Sequence, residues 1–273
     1  SRKQVEDIID GKIVIGKQKD IQEVKNAYRA YEKISSINPY SVEELKNTHE
    51  IMTFLIQEDN GKFRNHGEAV YNGDKMIFLA PPHNRVPELM DNLFEWMNNS
   101  KNTVHPLILS SVFHYEFVFI HPFSDGNGRM ARLWQTAILS KWNVMFEYMP
   151  IENIIKRHKQ EYYKTINECD KIGNSTKFIE FMLEIIDETI EELLKRSKND
   201  ENSIMESLND TEKDALDYIY KNELVSTKEL AEYLGKADRT ARRIVSVLLE
   251  KGLITWQGRD KNDPNIRYKK MSE

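Results

Sequence analysis

Residues 104–119 form a nearly continuous apolar stretch that contains few helix-breaking residues. A surface helix carries polar residues along one side, so a stretch this apolar predicts a central helix that is buried nearly all round. The longest apolar run, residues 112–120, is interrupted by His114, Tyr115 and Glu116, and it is far shorter than the roughly 20 residues that cross a bilayer. We therefore expect a helical core and no membrane segment.

Most of the remaining chain also indicates helices. Only 11 of the 273 residues are glycine, and apolar residues recur at spacings near 3.6. Ser41 followed by Glu44 is a capping box that predicts the start of one helix. The exception is residues 69–78, where two short extended runs flank Asn72-Gly73, a strong hairpin signal. The predicted helices cover residues 21–34, 41–55, 86–96, 104–119, 129–142, 151–169 and 176–194.

Residues 195–203 are polar throughout and indicate a linker or a helix end. Three shorter helices and a two-stranded wing are predicted beyond them, which is the layout of a winged helix-turn-helix. We predict a mainly α protein with a helical bundle and small β-hairpin over residues 1–195, a linker over 196–207 and a winged helix-turn-helix domain over 208–273. The single cysteine, Cys169, fits a reducing compartment, and we expect a cytoplasmic protein.

The segment from His121 to Arg132 combines the groups that phosphoryl-type transfer needs. Gly126-Asn127-Gly128 precedes a helix, so free backbone N–H groups and the helix dipole predict an anion site. Arg129 and Arg132 share one face of the first turn and can both reach a phosphate chain. Asp125 is a candidate Mg²⁺ ligand, and His121 has a pKa suited to proton abstraction near neutral pH.

The same segment, from His121-Pro122-Phe123 through Asp125-Gly126-Asn127-Gly128-Arg129 to Arg132, matches HPFx(D/E)GNGRxxR at every fixed position. In this it resembles the Fic (filamentation induced by cAMP) family of protein adenylyltransferases. The resemblance covers roughly residues 1–195. A match over so many defined positions is far more specific than a lone glycine-rich loop.

The resemblance implies that His121 deprotonates a protein Ser, Thr or Tyr hydroxyl, which then attacks the α-phosphate of ATP. It implies that Asp125 holds Mg²⁺ and that the glycines, Asn127, Arg129 and Arg132 hold the phosphates. It also implies a flap that docks the target by strand addition. The candidate flap residues are Tyr71, Met76, Ile77 and Phe78.

Many Fic proteins carry an inhibitory helix, (S/T)xxxE(G/N), whose glutamate pairs with the second motif arginine. The sequence begins after the place where relatives with this arrangement carry that helix, so we expect the inhibitory motif to be missing from this chain. A match at Ser197-x-x-x-Glu201-Asn202 is short enough to arise by chance. We therefore expect a chain relieved of inhibition.

The partner of the predicted winged helix stays open. Arg239, Arg242 and Arg243 lie on its recognition helix, where DNA readers place their contacts. However, residues 208–273 hold 13 Lys and Arg against 12 Asp and Glu, whereas DNA-binding domains are distinctly basic. Docking of protein, or of another subunit, is the alternative.

Several alternatives to transfer of AMP also stay open. One is a Fic enzyme that uses another nucleotide or removes AMP. Another is a nucleotide-sensing, DNA-binding transcriptional regulator that modifies nothing. Gly128 argues against the phosphotransferase branch of the superfamily, in which a lysine replaces that glycine. Self-modification and a homodimer are further expectations.

Overall fold

The computed structural model describes residues 2–72, 75–260, 263 and 266–271, with the side chains of residues 2, 70–72, 75–77 and 201 left out. The chain divides into two compact units, Ser1–Glu191 and Glu192–Glu273. The mainly helical fold predicted from the sequence is confirmed. Through the first unit the helices are α1 Arg2–Ile9, α2 Gln18–Tyr31, α3 Val42–Thr53, α4 Val86–Ser100, α5 Pro106–Ile120, α6 Asn127–Trp142, α7 Ile151–Arg157, α8 Lys159–Ile172 and α9 Thr176–Glu206.

The centre of the first unit is the pair α5 and α6, which pack along each other. The apolar stretch predicted to be buried is α5, and Phe113, Phe117 and Ile120 are among its buried residues. From α6, Trp134 is fully buried and its indole donates to Pro39 O at 2.9 Å. Each such side chain stabilises the fold by about 1.5–3 kcal/mol. The segment between α5 and α6 is therefore held at both ends by well-packed helices.

Local signals account for several element ends. Ser41 caps α3, since its hydroxyl accepts the Glu44 N–H at 3.3 Å, as the capping box predicts. The predicted hairpin is present as β1, Ala69–Asn72, and β2, Lys75–Leu79, which pair antiparallel. Its Gly73 turn lies outside the described residues.

Two predictions about helices are wrong. Residues 151–169, predicted as one helix, are split into α7 and α8 at His158. The stretch predicted as a linker is helical, because α9 continues to Glu206. Residues 195–203 contain no proline or glycine, so their polarity is compatible with helix and does not break it. The boundary between the two units falls within α9, after Glu191.

The second unit is a winged helix-turn-helix, as predicted. Two of its helices begin with complete capping boxes, Asn209 with Glu212 and Ser226 with Glu229. Its elements are α10 Asp210–Lys221, α11 Thr227–Leu234, α12 Asp238–Glu250, β3 Ile254–Gln257 and β4 Arg267–Lys270. The two strands pair antiparallel and close a small core of their own. Across both units, no helix in the described part of the chain is long and apolar enough to cross a membrane.

Candidate active site

His121 occupies the turn that ends α5, and its backbone is left-handed there, with φ 51° and ψ 59°. This conformation is uncommon outside glycine, although histidine is among the residues that adopt it more often. The His121 N–H donates to Phe117 O at 3.0 Å, and Pro122 then carries the chain away from the helix. His121 therefore lies between the end of α5 and the loop that leads into α6.

The imidazole of His121 is poised to accept a proton. Nδ1 lies 3.3 Å from Val118 O, so Nδ1–H donates there and Nε2 keeps its lone pair. Burial lowers the pKa of His121 and outweighs the bond to Val118 and the charge of Glu68, which raise it. The Arg64 guanidinium adds to the lowering. The side chain is therefore neutral at neutral pH.

Side-chain hydrogen bonds fix the loop that follows. The Phe123 N–H donates to Asn127 Oδ1 at 2.9 Å, and Asn127 Nδ2 donates to Phe123 O at 2.6 Å. Asn127 is therefore occupied within the loop, and a contact from it to phosphate would come from its backbone N–H. Phe123 itself is fully buried in the core.

The glycines leave the start of α6 open. Gly126 is left-handed at φ 82°, and a Cβ there would also lie 3.3 Å from Thr53 Cγ2. A Cβ on Gly128 would lie 3.2 Å from Arg132 Nη1. Gly126 is the N-cap, and no side chain in the described residues caps this helix. The first-turn N–H groups are thus free to bind an anion, as the sequence predicts.

Asp125 lies at the mouth of this loop with its side chain 40% exposed. Burial would raise its pKa, but the hydrogen bond from Gly126 N–H at 2.6 Å and the charge of Arg129 outweigh it, so the pKa lies below its ordinary value. The carboxylate is therefore ionised. No group of three metal-binding side chains occurs among the described residues. One ionised carboxylate beside the predicted phosphate site fits Mg²⁺, which is commonly held by one or two carboxylates and phosphate oxygens.

The two motif arginines lie at the same end of α6 but have different partners. Arg129 Nη2 donates to Asp125 Oδ2 at 3.3 Å, whereas its Nη1 lies 3.9 Å from Glu23 Oε1. Nη1 is buried and makes no hydrogen bond within the described part of the chain, which leaves a donor for a ligand oxygen. Arg132 is bound by Glu152, at 2.9 Å from Nε and 2.8 Å from Nη2.

A narrow apolar cavity of about 40 Å³ opens beside His121. At its polar end, Asp170 Oδ1 accepts the Tyr115 hydroxyl at 2.7 Å. Burial raises the pKa of Asp170, although the bond from Tyr115 opposes the change. The lining residues of the cavity are Phe78, Val118, Phe119, His121, Tyr163, Ile166, Asn167 and Asp170.

His49, which the sequence analysis does not single out, holds the loop from α3. Its Nδ1 accepts the Gly61 N–H at 3.0 Å, so Nε2–H donates to Asp125 O at 2.9 Å. Its ring stacks on Phe123 with 3.6 Å between centroids. Only packing brings His49 to a loop more than 70 residues away, and no short spacing in the sequence signals it.

The hairpin provides one wall of the cavity. Phe78, on β2, lies 5.7 Å from Phe119 between ring centroids and lines the cavity opposite α5. The side chains of Tyr71, Met76 and Ile77 lie outside the described residues, so their predicted docking role stays a prediction. In the second unit, Arg239, Arg242 and Arg243 are exposed on α12.

Comparison with known proteins decides the family. A family model described as Fic/DOC matches residues 39–139, which contain the whole motif. A solved structure of a Fic family protein from Desulfovibrio desulfuricans G20 is 33% identical, with a TM-score of 0.70, over all of this chain and 82% of that one. The chain belongs to the Fic family. A second family model, described as winged helix-turn-helix DNA-binding, matches residues 208–255 of this Fic protein.

Curated relatives match a smaller part. The Fic protein is 30% identical over 134 residues to a protein adenylyltransferase Fic of Aedes aegypti, which covers 49% of this chain and 25% of that one. It is 31% identical over 126 residues to a probable protein adenylyltransferase of Aquifex aeolicus, over 45% of this chain and 37% of that one. The chain thus spans a quarter to about a third of the length of these relatives.

Proposed function

We propose that this Fic protein transfers AMP from ATP to a Ser, Thr or Tyr hydroxyl of a protein target. The observation that carries the proposal is the free acceptor Nε2 of His121, in the loop that leads directly into the uncapped first turn of α6. A base beside an anion site suits attack of a hydroxyl on a phosphate. The adenylyltransferase names of the relatives support the same reaction class.

In the proposed reaction, the target hydroxyl donates its proton to His121 Nε2 as its oxygen attacks the α-phosphorus of ATP. The bond between the α-phosphorus and the oxygen bridging to the β-phosphate breaks. Pyrophosphate leaves with that bonding pair, and the target keeps AMP as a phosphodiester. The proton on the imidazole then passes to solvent or to pyrophosphate, which restores the base.

ATP would be held by hydrogen-bond donors that have no partner in this structure among the described residues, or that form partly exposed ion pairs. The first-turn N–H groups of α6 and Arg129 Nη1 would bind phosphate oxygens, and Arg132 would join them on leaving Glu152. The adenine would enter the cavity lined by Phe78 and Tyr163, which would have to widen because its present volume is about 40 Å³. Mg²⁺, held by Asp125 and phosphate oxygens, would neutralise negative charge on the leaving pyrophosphate.

The target segment would dock on β2, whose outer edge has no partner strand among the described residues. Strand addition supplies main-chain hydrogen bonds whatever the target sequence. The hydroxyl would then approach His121 past Phe78. The candidate docking residues remain Tyr71, Met76, Ile77 and Phe78.

The test is incubation with Mg²⁺ and α-labelled ATP, followed by intact-mass measurement of the chain and of added proteins. We expect label and one AMP of mass on a hydroxyl, with none from His121→Asn and wild-type transfer from the matched control His83→Asn. A gain of AMP on the chain itself would identify self-modification. Parallel incubations with GTP, CTP and UTP test which nucleotide the protein uses. Loss of AMP from a modified target tests whether it removes AMP. Transfer that survives His121→Asn would exclude His121 as the base.

Asp125→Asn tests the metal. The amide keeps the size of the carboxylate but loses the charge that Mg²⁺ requires. Titration of ATP binding with and without Mg²⁺ should show enhancement by the metal in the wild type and little in the variant. Equal enhancement in both would remove Asp125 from the proposed site.

The second unit supports a second candidate function, binding of duplex DNA. The family model and the three exposed arginines on α12 favour it, while the near-neutral charge of the region opposes it. Binding to random duplex should weaken steeply with salt, and each arginine that contacts a phosphate should contribute about 0.9 to that slope. Replacing Arg239, Arg242 and Arg243 with alanine should flatten it. No binding at low salt would exclude the function, whereas ATP-sensitive DNA binding without AMP transfer would favour the regulator.

A further inference from the structure

Arg64, between α3 and β1, is a buried cation beside the catalytic turn. It is 3% exposed, and each hydrogen bond that its guanidinium makes within the described part of the chain goes to a backbone carbonyl. Nε donates to His121 O at 2.7 Å, and Nη2 donates to Ile120 O at 3.3 Å. Its backbone N–H also donates to Pro122 O at 2.9 Å. Three consecutive carbonyls of the catalytic turn are therefore bound by this one residue.

The same guanidinium holds both ends of the hairpin. Nη1 donates to His66 O at 2.8 Å, just before β1, and Nη2 donates to Pro81 O at 2.6 Å, just after β2. The Ala80 N–H donates to Glu68 O at 3.0 Å and closes the base of the hairpin between them. Arg64 thus cross-links the hairpin to the turn that carries the base.

The chemistry of this position requires arginine. A buried charge is costly unless hydrogen-bonded, and only the planar guanidinium offers several donors in a fixed fork. The carbonyls at the end of α5 also carry the negative end of the helix dipole, which favours a cation there. A lysine would keep the charge, but a single ammonium cannot reach carbonyls on both sides.

We infer that Arg64 is the positioning residue of this site: it holds His121 in its left-handed turn and sets the distance between the base and the hairpin. The inference rests on the proposed function, in which His121 is the base and the hairpin docks the target. Without the four carbonyl bonds, His121 O and Pro81 O lose their shared anchor. The imidazole and the docked hydroxyl are then no longer held at the distance that proton transfer requires.

The charge of Arg64 has a separate effect on the imidazole. The groups that face His121 are Arg64, which lowers its pKa, Glu68 and Asp125, which raise it, and Tyr163 and Asp170 across the cavity. Removal of the Arg64 charge should therefore raise the pKa of His121. Lysine, which keeps the charge but not the fork, should leave that pKa nearly unchanged. The two variants separate charge from geometry.

The experiment compares Arg64→Gln and Arg64→Lys in the full chain with the matched control Arg85→Gln, an exposed arginine beyond the hairpin. NMR titration of labelled histidine, with His121 assigned from His121→Asn, measures the pKa. AMP transfer then gives kcat and the KM values for target and ATP. We expect the pKa of His121 to be raised only in Arg64→Gln. In both Arg64 variants we expect kcat to fall on the order of 100-fold, while the KM for ATP stays within about twofold of the wild type.

Wild-type kcat and target KM in a folded Arg64→Lys would overturn the positioning role. If Arg64→Gln does not fold, Arg64→Lys alone decides, since its prediction is a kinetic loss with an unchanged His121 titration. If the wild type transfers no AMP while the His121 titration shifts as expected, the proposed function fails and the electrostatic effect of Arg64 on the imidazole stands. An unshifted titration in a folded Arg64→Gln contradicts the effect of the Arg64 charge on the imidazole, and the kinetics of Arg64→Lys still decide the positioning role.

Discussion

Glu152 binds the last arginine of the motif through one oxygen, Oε1, which lies 2.9 Å from Arg132 Nε and 2.8 Å from Nη2. Its other oxygen accepts the Tyr31 hydroxyl at 3.2 Å. An arginine proposed to bind phosphate is thus already paired with a carboxylate from α7. In the proposed reaction ATP would replace Glu152 at Arg132, so the free energy of the Arg132–Glu152 pair would oppose ATP binding.

Glu152→Gln should therefore tighten ATP binding. The pair is partly exposed, and such pairs contribute about 0.2–1 kcal/mol, so we expect the KM for ATP to fall by up to about fivefold. Steady-state kinetics with Glu147→Gln as the nearby control measure this. A higher KM would mean that Glu152 orients Arg132 for phosphate instead of competing with it.

His49→Ala should weaken both the loop and ATP binding. The change leaves the half-buried Gly61 N–H and Asp125 O without their partner, at up to about 1 kcal/mol for each group because water can partly replace it. We expect a lower denaturation midpoint and a raised KM for ATP, whereas His83→Ala, on an exposed residue, should match the wild type. If ATP binding is unchanged in a destabilised variant, His49 supports the fold alone.

The acidic limb of the rate profile should lie below pH 6.5, the ordinary pKa of histidine. The pKa of His121 is lowered chiefly by burial, so the imidazole stays neutral as the pH falls through that value. Activity is then lost only on approach to the lowered pKa. A plot of kcat/KM against pH reports the free enzyme, and an acidic limb at or above pH 6.5 would contradict the assignment.

A second histidine should make stability depend on pH. His114 is fully buried, donates to Gln135 and accepts from the Tyr162 hydroxyl, and burial lowers its pKa to about 4. The folded state resists protonation, so its contribution is present above pH 6.5 and is lost as the pH falls toward 4. The loss is about 3 kcal/mol over that range. Urea denaturation at pH 7 and pH 4.5 should show a smaller pH dependence for His114→Gln than for the wild type.

The sequence predicts best what depends on neighbours along the chain. The caps at Ser41, Asn209 and Ser226 require residues three apart, and all three form. The motif is contiguous, so its candidate residues come together at the start of α6. The prediction of a linker over residues 196–207 is wrong because polarity alone does not end a helix, and α9 continues to Glu206.

The residues that support the loop were not predictable in this way. Arg64, His49 and Glu152 reach it from α7 or from segments some 57 to 76 residues away, and each contact exists only after the helices pack. None carries a local spacing that signals a site. A glutamate four residues from an arginine can be recognised in a sequence, but one that is twenty residues away on another helix cannot.

The left-handed turn at His121 limits how this protein can change over evolutionary time. The position has to accept φ near 51°, which asparagine, aspartate and glycine tolerate and which branched residues resist. A lineage that lost His121 could keep the fold most easily with asparagine, aspartate or glycine at that position. An inactive descendant that still binds nucleotide would then be recognised by asparagine, aspartate or glycine before the proline, with the rest of the loop intact.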